Sequence, residues 1–186
     1  SALIGRVFIS WEIAGSLLGG IWAMLRFFTI IGNIFGVVVL AGFALGARWA
    51  HRPTVLGCAT LNLALIGTVY ALLLRGLVPL TGAALIIDYI VHYAMPPLIV
   101  IFWLAFAPRG LRRRDPPRWA LMPIAYFGYA ILRAQMGGAY PYPFINVDEL
   151  GWPQVLLNAL VIALGFLAAG MVLVWIDKKL PRARTR

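Results

Sequence analysis

Long uninterrupted apolar runs, rather than strand-like alternation, set the pattern of this chain. A helix needs about 20 apolar residues to cross a bilayer core. Five runs meet or approach that length: residues 21–47, 54–74, 83–107, 119–136 and 155–176. A sixth, residues 3–18, is shorter and interrupted by Arg6 and Glu12; it reads as the remainder of a first span. Segments 47–53, 76–82, 108–118 and 137–153 carry the Gly and Pro expected of connectors. The pattern predicts an all-α polytopic membrane protein, one domain over residues 1–186 with six transmembrane helices. No internal repeat is visible, which argues against an inverted-repeat transporter.

Composition narrows the class. With 62% hydrophobic and 12% charged residues, the chain has too little polar surface for a soluble domain. Its net charge of +10 would suit a nucleic-acid binder, but the placement of the charges argues against that partner. Arg48, Arg52, Arg109, Arg112, Arg113, Arg114, Arg118, Lys178, Lys179, Arg182, Arg184 and Arg186 all fall on one side of a six-span topology, with Arg6 making thirteen. Arg26, Arg75 and Arg133 fall on the other. Positive charge accumulates on the cytoplasmic side, so both termini are expected there. The bilayer itself is then the principal partner. Cys58 is the only cysteine, which excludes an intramolecular disulfide framework. No cleavable signal peptide of the usual form is evident.

Ionisable side chains inside apolar spans are expensive and mark functional candidates. Asp88 and His92 lie four residues apart in the fourth span, hence on one helical face. Counted from residue 83, His92 lies roughly 13 Å into the membrane; counted from residue 21, Thr29 lies roughly 12 Å in from the same side. The two sit at matching depth. Arg26, Thr29 and Asn33 share a stripe on the second span. One reading has Thr29 bonding to its own helix, Asn33 linking helices and Arg26 reaching the interface. The other makes Thr29 a nucleophile, His92 its base and Asp88 the group that orients the imidazole.

The fifth span places Tyr126, Tyr129 and Arg133 on one face. Two Tyr-Pro pairs then describe a stiff segment around Tyr142, suited to capping an outer cavity. Arg26 and Arg133 would serve as forked donors to an acidic head group. Asn62 and Asn158 suit hydrogen bonding between helices. A metal would need Asp88, His92 and Glu12 to converge, and a bis-histidine haem lacks its second membrane histidine. No cofactor or metal is therefore expected.

Three stretches resemble a known family: Arg-Phe-Phe-Thr-Ile-Ile-Gly-Asn at 26–33, Asp88-Tyr-Ile-Val-His92-Tyr-Ala-Met-Pro96, and Tyr-Pro-Tyr-Pro-Phe-Ile-Asn-Val at 140–147. They are similar to bacterial six-span membrane proteins related to the androgen-induced family of membrane threonine hydrolases. Arg-Arg-Asp-Pro-Pro-Arg-Trp at 113–119 resembles the bacterial branch in particular, and the likeness spans roughly residues 22–180. The eukaryotic relatives cleave fatty acid esters of hydroxy fatty acids with an intramembrane Thr and His, and the resemblance carries these over by position to Thr29 and His92. The eukaryotic members tend to carry an amide where this chain has Asp88.

These readings lead to an intramembrane hydrolase of lipid esters in the bacterial inner membrane. Thr29 and His92 would be catalytic, Asp88 and Asn33 supporting, and Arg26, Arg133, Tyr126, Tyr129 and Tyr142 substrate-binding. The alternatives are a non-catalytic lipid-binding, transport or regulatory membrane protein and, less favoured, a metal-dependent membrane hydrolase. The charge asymmetry makes the topology testable. Reporter fusions after Arg114 and after Val147 should report opposite sides of the membrane; the same side for both would refute the six-span arrangement.

Overall fold

The computed structural model describes residues 15–181. They are helical and contain no strand, and they fall into two compact units. In the first unit, residues 15–110 with Pro181, α1 (Leu17–Met24) is followed by α2 (Phe28–Ala44). Next come α3 (Pro53–Leu74) and α4 (Gly82–Phe106). Each of the last two contains a five-residue π-helical turn, Tyr70–Leu74 in α3 and Ile90–Ala94 in α4. Pro53 opens α3 at a position where its missing N–H costs nothing.

The second span is not the straight helix the apolar run predicts. It breaks over residues 25–27, and α1 and α2 are bent by 97°. Neither Pro nor Gly lies at the break. Arg26 does, half-buried with its guanidinium 4.8 Å from the Phe27 ring centre. A continuous helix would carry that charge in mid-span, whereas here it stands at the junction of two helices. Two expectations fall as a result. Arg26 precedes α2 and so does not share a helical stripe with Thr29 and Asn33. The depth of Thr29 cannot be counted from residue 21, because its helix starts one residue before it.

Helix α2 packs on α3, and α3 on α4. Small residues set the first contact: Gly32 and Gly36 are buried beneath Ile66 and Leu63. The second contact meets stiffer neighbours. A Cβ on Gly67 would stand 2.8 and 2.9 Å from Pro96 side-chain carbons and 3.2 Å from the His92 carbonyl oxygen.

The second unit, Leu111–Leu180, contains α5 (Asp115–Trp119), α6 (Leu121–Gln135), a 3₁₀ turn (Pro143–Ile145) and α7 (Val147–Lys179). Gly151, at φ 72°, kinks α7 just before Pro153. The Arg-Arg-Asp-Pro-Pro-Arg-Trp stretch forms α5, and the Asp115 carboxylate accepts the Arg112 N–H at 2.7 Å. The buried Asp177 accepts the Leu111 N–H at 2.9 Å.

Among the described residues, α3, α4 and α7 are long and apolar enough to cross a membrane, and the bent α1–α2 pair would make a fourth. The fifth predicted span is shorter than expected. Helix α6 has 15 residues, about 22 Å of rise, against a hydrocarbon core of about 30 Å. Predicted span 3–18, with Glu12, lies largely outside the described residues. The exposed Leu156, Leu157, Leu160, Val161 and Leu164 of α7 suit contact with lipid.

The Gly67 contact carries a stability test. Gly67→Ala meets a rigid proline ring and a backbone carbonyl, whereas Gly36→Ala meets only the Leu63 side chain, at 2.7 Å. Overpacking costs typically about 1–3 kcal/mol. Thermal unfolding in detergent should show Gly67→Ala in that range and Gly36→Ala clearly milder.

Candidate functional site

Four side chains from three helices of the first unit meet around His92. The Thr29 hydroxyl oxygen lies 3.1 Å from His92 Nε2. On the other side of the ring, Nδ1 lies 2.9 Å from Asp88 Oδ1 and 3.2 Å from the Asp88 carbonyl oxygen. Both of these neighbours are acceptors, so the Nδ1 proton points to them. Nε2 is then left to accept the Thr29 hydroxyl. The order hydroxyl, imidazole, carboxylate is that of an activated nucleophile with an oriented base.

The sequence reasoning missed the fourth member, Tyr70. Its hydroxyl donates to Asp88 Oδ2 at 2.5 Å. Its ring stacks on the imidazole, with centroids 3.9 Å apart and planes inclined by 13°. Tyr93 meets the edge of Tyr70 at 5.4 Å. The signal that could have found Tyr70 is a lone phenol near the end of the apolar run 54–74.

Local sequence explains how His92 is presented. Pro96 and Pro97 follow the π-turn that holds it. In a regular α-helix the Pro96 ring would press on the carbonyl four residues back, which is that of His92. The widened turn, closed by the Met95 N–H on the Ile90 carbonyl, relieves that clash. Gly67 then lets α3 approach this carbonyl, which brings Tyr70, almost one turn on, over the imidazole.

Thr29 has a partner of a different kind from those of Thr60 and Thr68. Thr60 and Thr68 donate to the Leu56 and Ala64 carbonyls at 2.8 and 2.9 Å, within their own helix. Thr29 stands in the first turn of α2, and its hydroxyl meets a group 63 residues away. It is 7% exposed, while the Asp88 and His92 side chains are each 13% exposed. Asn33 is buried and donates to the Thr29 carbonyl at 2.8 Å, so it braces the helix that carries the hydroxyl. Asn62 donates to the Cys58 carbonyl one turn back, so this bond lies within its helix rather than between helices.

The remaining predicted binding residues belong to the second unit. Arg133 donates to the Tyr129 hydroxyl at 2.7 Å. Tyr126 lies 6.1 Å from Tyr129 and 6.3 Å from the buried Tyr142, ring centre to ring centre. Tyr142 stacks on Phe144. Asn158 secures this turn by donating to the Phe144 carbonyl at 2.9 Å. The site residues thus form two groups, Thr29, His92, Asp88 and Asn33 in one unit and Tyr126, Tyr129, Arg133 and Tyr142 in the other, with Arg26 at the α1–α2 bend. Among the described residues, no three His, Cys, Asp or Glu side chains gather as metal ligands. No family model, curated protein or solved structure matches the chain.

Proposed function

We propose that this protein is an intramembrane hydrolase of lipid esters, related to the androgen-induced family of membrane threonine hydrolases. The observation that supports it most is the 3.1 Å approach of the Thr29 hydroxyl to a His92 whose far nitrogen is occupied by Asp88. Thr29 Oγ1 attacks the ester carbonyl carbon as Nε2 takes its proton, and Asp88 stabilises the imidazolium. Collapse of the tetrahedral intermediate breaks the ester C–O bond. Nε2 returns the proton to the departing alkoxide, which leaves as an alcohol. His92 then deprotonates a water that attacks the acyl-threonine, and the fatty acid and free Thr29 are released. Fatty acid esters of hydroxy fatty acids are the substrate class that the resemblance suggests.

In the same reading the chain crosses the bacterial inner membrane six times with both termini in the cytoplasm, on the strength of the Lys and Arg distribution. A second reading, a non-catalytic lipid-binding, transport or regulatory membrane protein, is favoured by one observation. Thr29 is buried, as an interhelical hydrogen bond would have it.

Mutagenesis separates the two. Thr29→Ala and His92→Ala should each lower ester hydrolysis by about 10⁴-fold or more with unfolding temperature preserved, and the double variant should be no slower than either. Thr29→Ser, which keeps the hydroxyl, should retain activity. Wild-type rates in Thr29→Ala would refute Thr29 as the nucleophile, and no ester hydrolysis by the wild-type protein would leave the binding-protein reading in place.

Either Arg26 or Arg133 is proposed to hold the acidic end of the substrate. A charged hydrogen bond contributes about 1.5–3 kcal/mol, so esters with a free carboxylate should be preferred over their methyl esters by roughly tenfold or more. Arg26→Gln or Arg133→Gln should erase that preference. If competition assays show it intact in both variants, neither residue is the head-group site.

A further inference from the structure

We propose that Tyr70 is a positioning residue that holds Asp88, and through it His92, in the single tautomer able to accept a proton from Thr29; the kinetic arm of the inference rests on the hydrolase reading. Three observations carry it. The phenol hydroxyl takes one carboxylate oxygen, at 2.5 Å, leaving the other for His92 Nδ1 at 2.9 Å. A carboxylate so divided is fixed about its terminal torsion, which is otherwise broad. The ring of the same residue lies flat on the imidazole, 3.9 Å away, and restricts its rotation. One side chain therefore constrains both the base and the group that orients it.

The backbone is built to deliver it. Tyr70 and His92 each lie in a π-helical turn, on two helices whose approach Gly67 permits. Such turns are rare and concentrate at functional sites. Each adds a residue to the helix and so offsets the following side chains by about 100°. A tyrosine serving only as an interfacial anchor would need neither the carboxylate nor the stacked ring.

Without the hydroxyl, Asp88 Oδ2 loses its donor and the carboxylate is free to turn from Nδ1. Nε2–H then competes with Nδ1–H, and the Nε2–H form cannot take the Thr29 proton. Tyr70→Phe tests the hydroxyl while keeping the ring.

The chain has two histidines, His51 and His92, so ring-¹⁵N histidine labelling gives two imidazoles, and His92→Ala identifies the pair of resonances wanted. Wild-type protein in detergent should show His92 as Nδ1–H. Tyr70→Phe and Asp88→Asn should each produce a clear Nε2–H population. On an ester substrate, Tyr70→Phe should lower kcat by about tenfold or more with KM within about twofold, as loss of an outer-shell partner typically does. On the Asp88→Asn background the same change should cost less than about twofold, because the hydroxyl acts through the carboxylate.

The tautomer measurement needs no substrate. If no ester is hydrolysed, the hydrolase reading fails while the tautomer result still decides the role of Tyr70. Tyr70→Phe with wild-type kcat and an unchanged Nδ1–H tautomer would overturn the role of Tyr70 and leave the hydrolase intact. A tenfold loss in kcat that persists in full on the Asp88→Asn background would also overturn it, since the hydroxyl would then act elsewhere.

Discussion

A carboxylate and an imidazole inside an apolar helix layer are tolerable only when their polar atoms find partners, and this constraint organises the first unit. Asp88 uses one oxygen for His92 and the other for Tyr70, and His92 uses its second nitrogen for Thr29. Each bond demands that a particular helix come close. Gly67 lets α3 reach α4, and Gly32 and Gly36 let α2 reach α3. Packing and polar pairing are therefore one problem here. A side chain that pushes the helices apart also breaks the chain of hydrogen bonds.

The second unit meets the same constraint with different means. Its polar groups are used mainly to fix turns: Asp115 takes the Arg112 N–H, Asp177 takes the Leu111 N–H, and Asn158 holds the Phe144 carbonyl. Arg133 and Tyr129 pair along α6. The Asn158 and Arg133 bonds tie down the aromatic cluster around Tyr142. Proline and glycine alone would not have done so, since they limit the backbone without choosing partners for side chains.

Much of the first unit was legible in the residues. Apolar runs marked α3 and α4, and the spacing of Asp88 and His92 put both on one face. The pairing of Thr29 with His92 rested on the resemblance and on a depth argument whose premise failed. Depth was counted along a straight helix from residue 21, and that helix is bent at 25–27. Arg26 carried the information, since a guanidinium in an apolar run is a reason for the chain to turn. Tyr70 was missed because its role depends on a π-turn, and the phase shift of a one-residue bulge is not visible in a run that is apolar on every face. Helix α6 came out shorter than its apolar run because residues 119 and 120 belong to the α5 corner, outside α6.

The bend before α2 has an electrostatic consequence. Because a new helix begins at Phe28, the aligned peptide dipoles of its 17 residues converge on its first turn, where Thr29 stands. Such an end carries the equivalent of about half a positive charge, and the effect fades within a turn. In the unbroken helix that the apolar run suggests, Thr29 would lie mid-helix, away from either pole. At the start of α2, any negative charge on its hydroxyl oxygen, as the proposed reaction would create, lies in a favourable field supplied by the main chain. That field is fixed by where the helix begins, whatever the protonation state of any side chain around it.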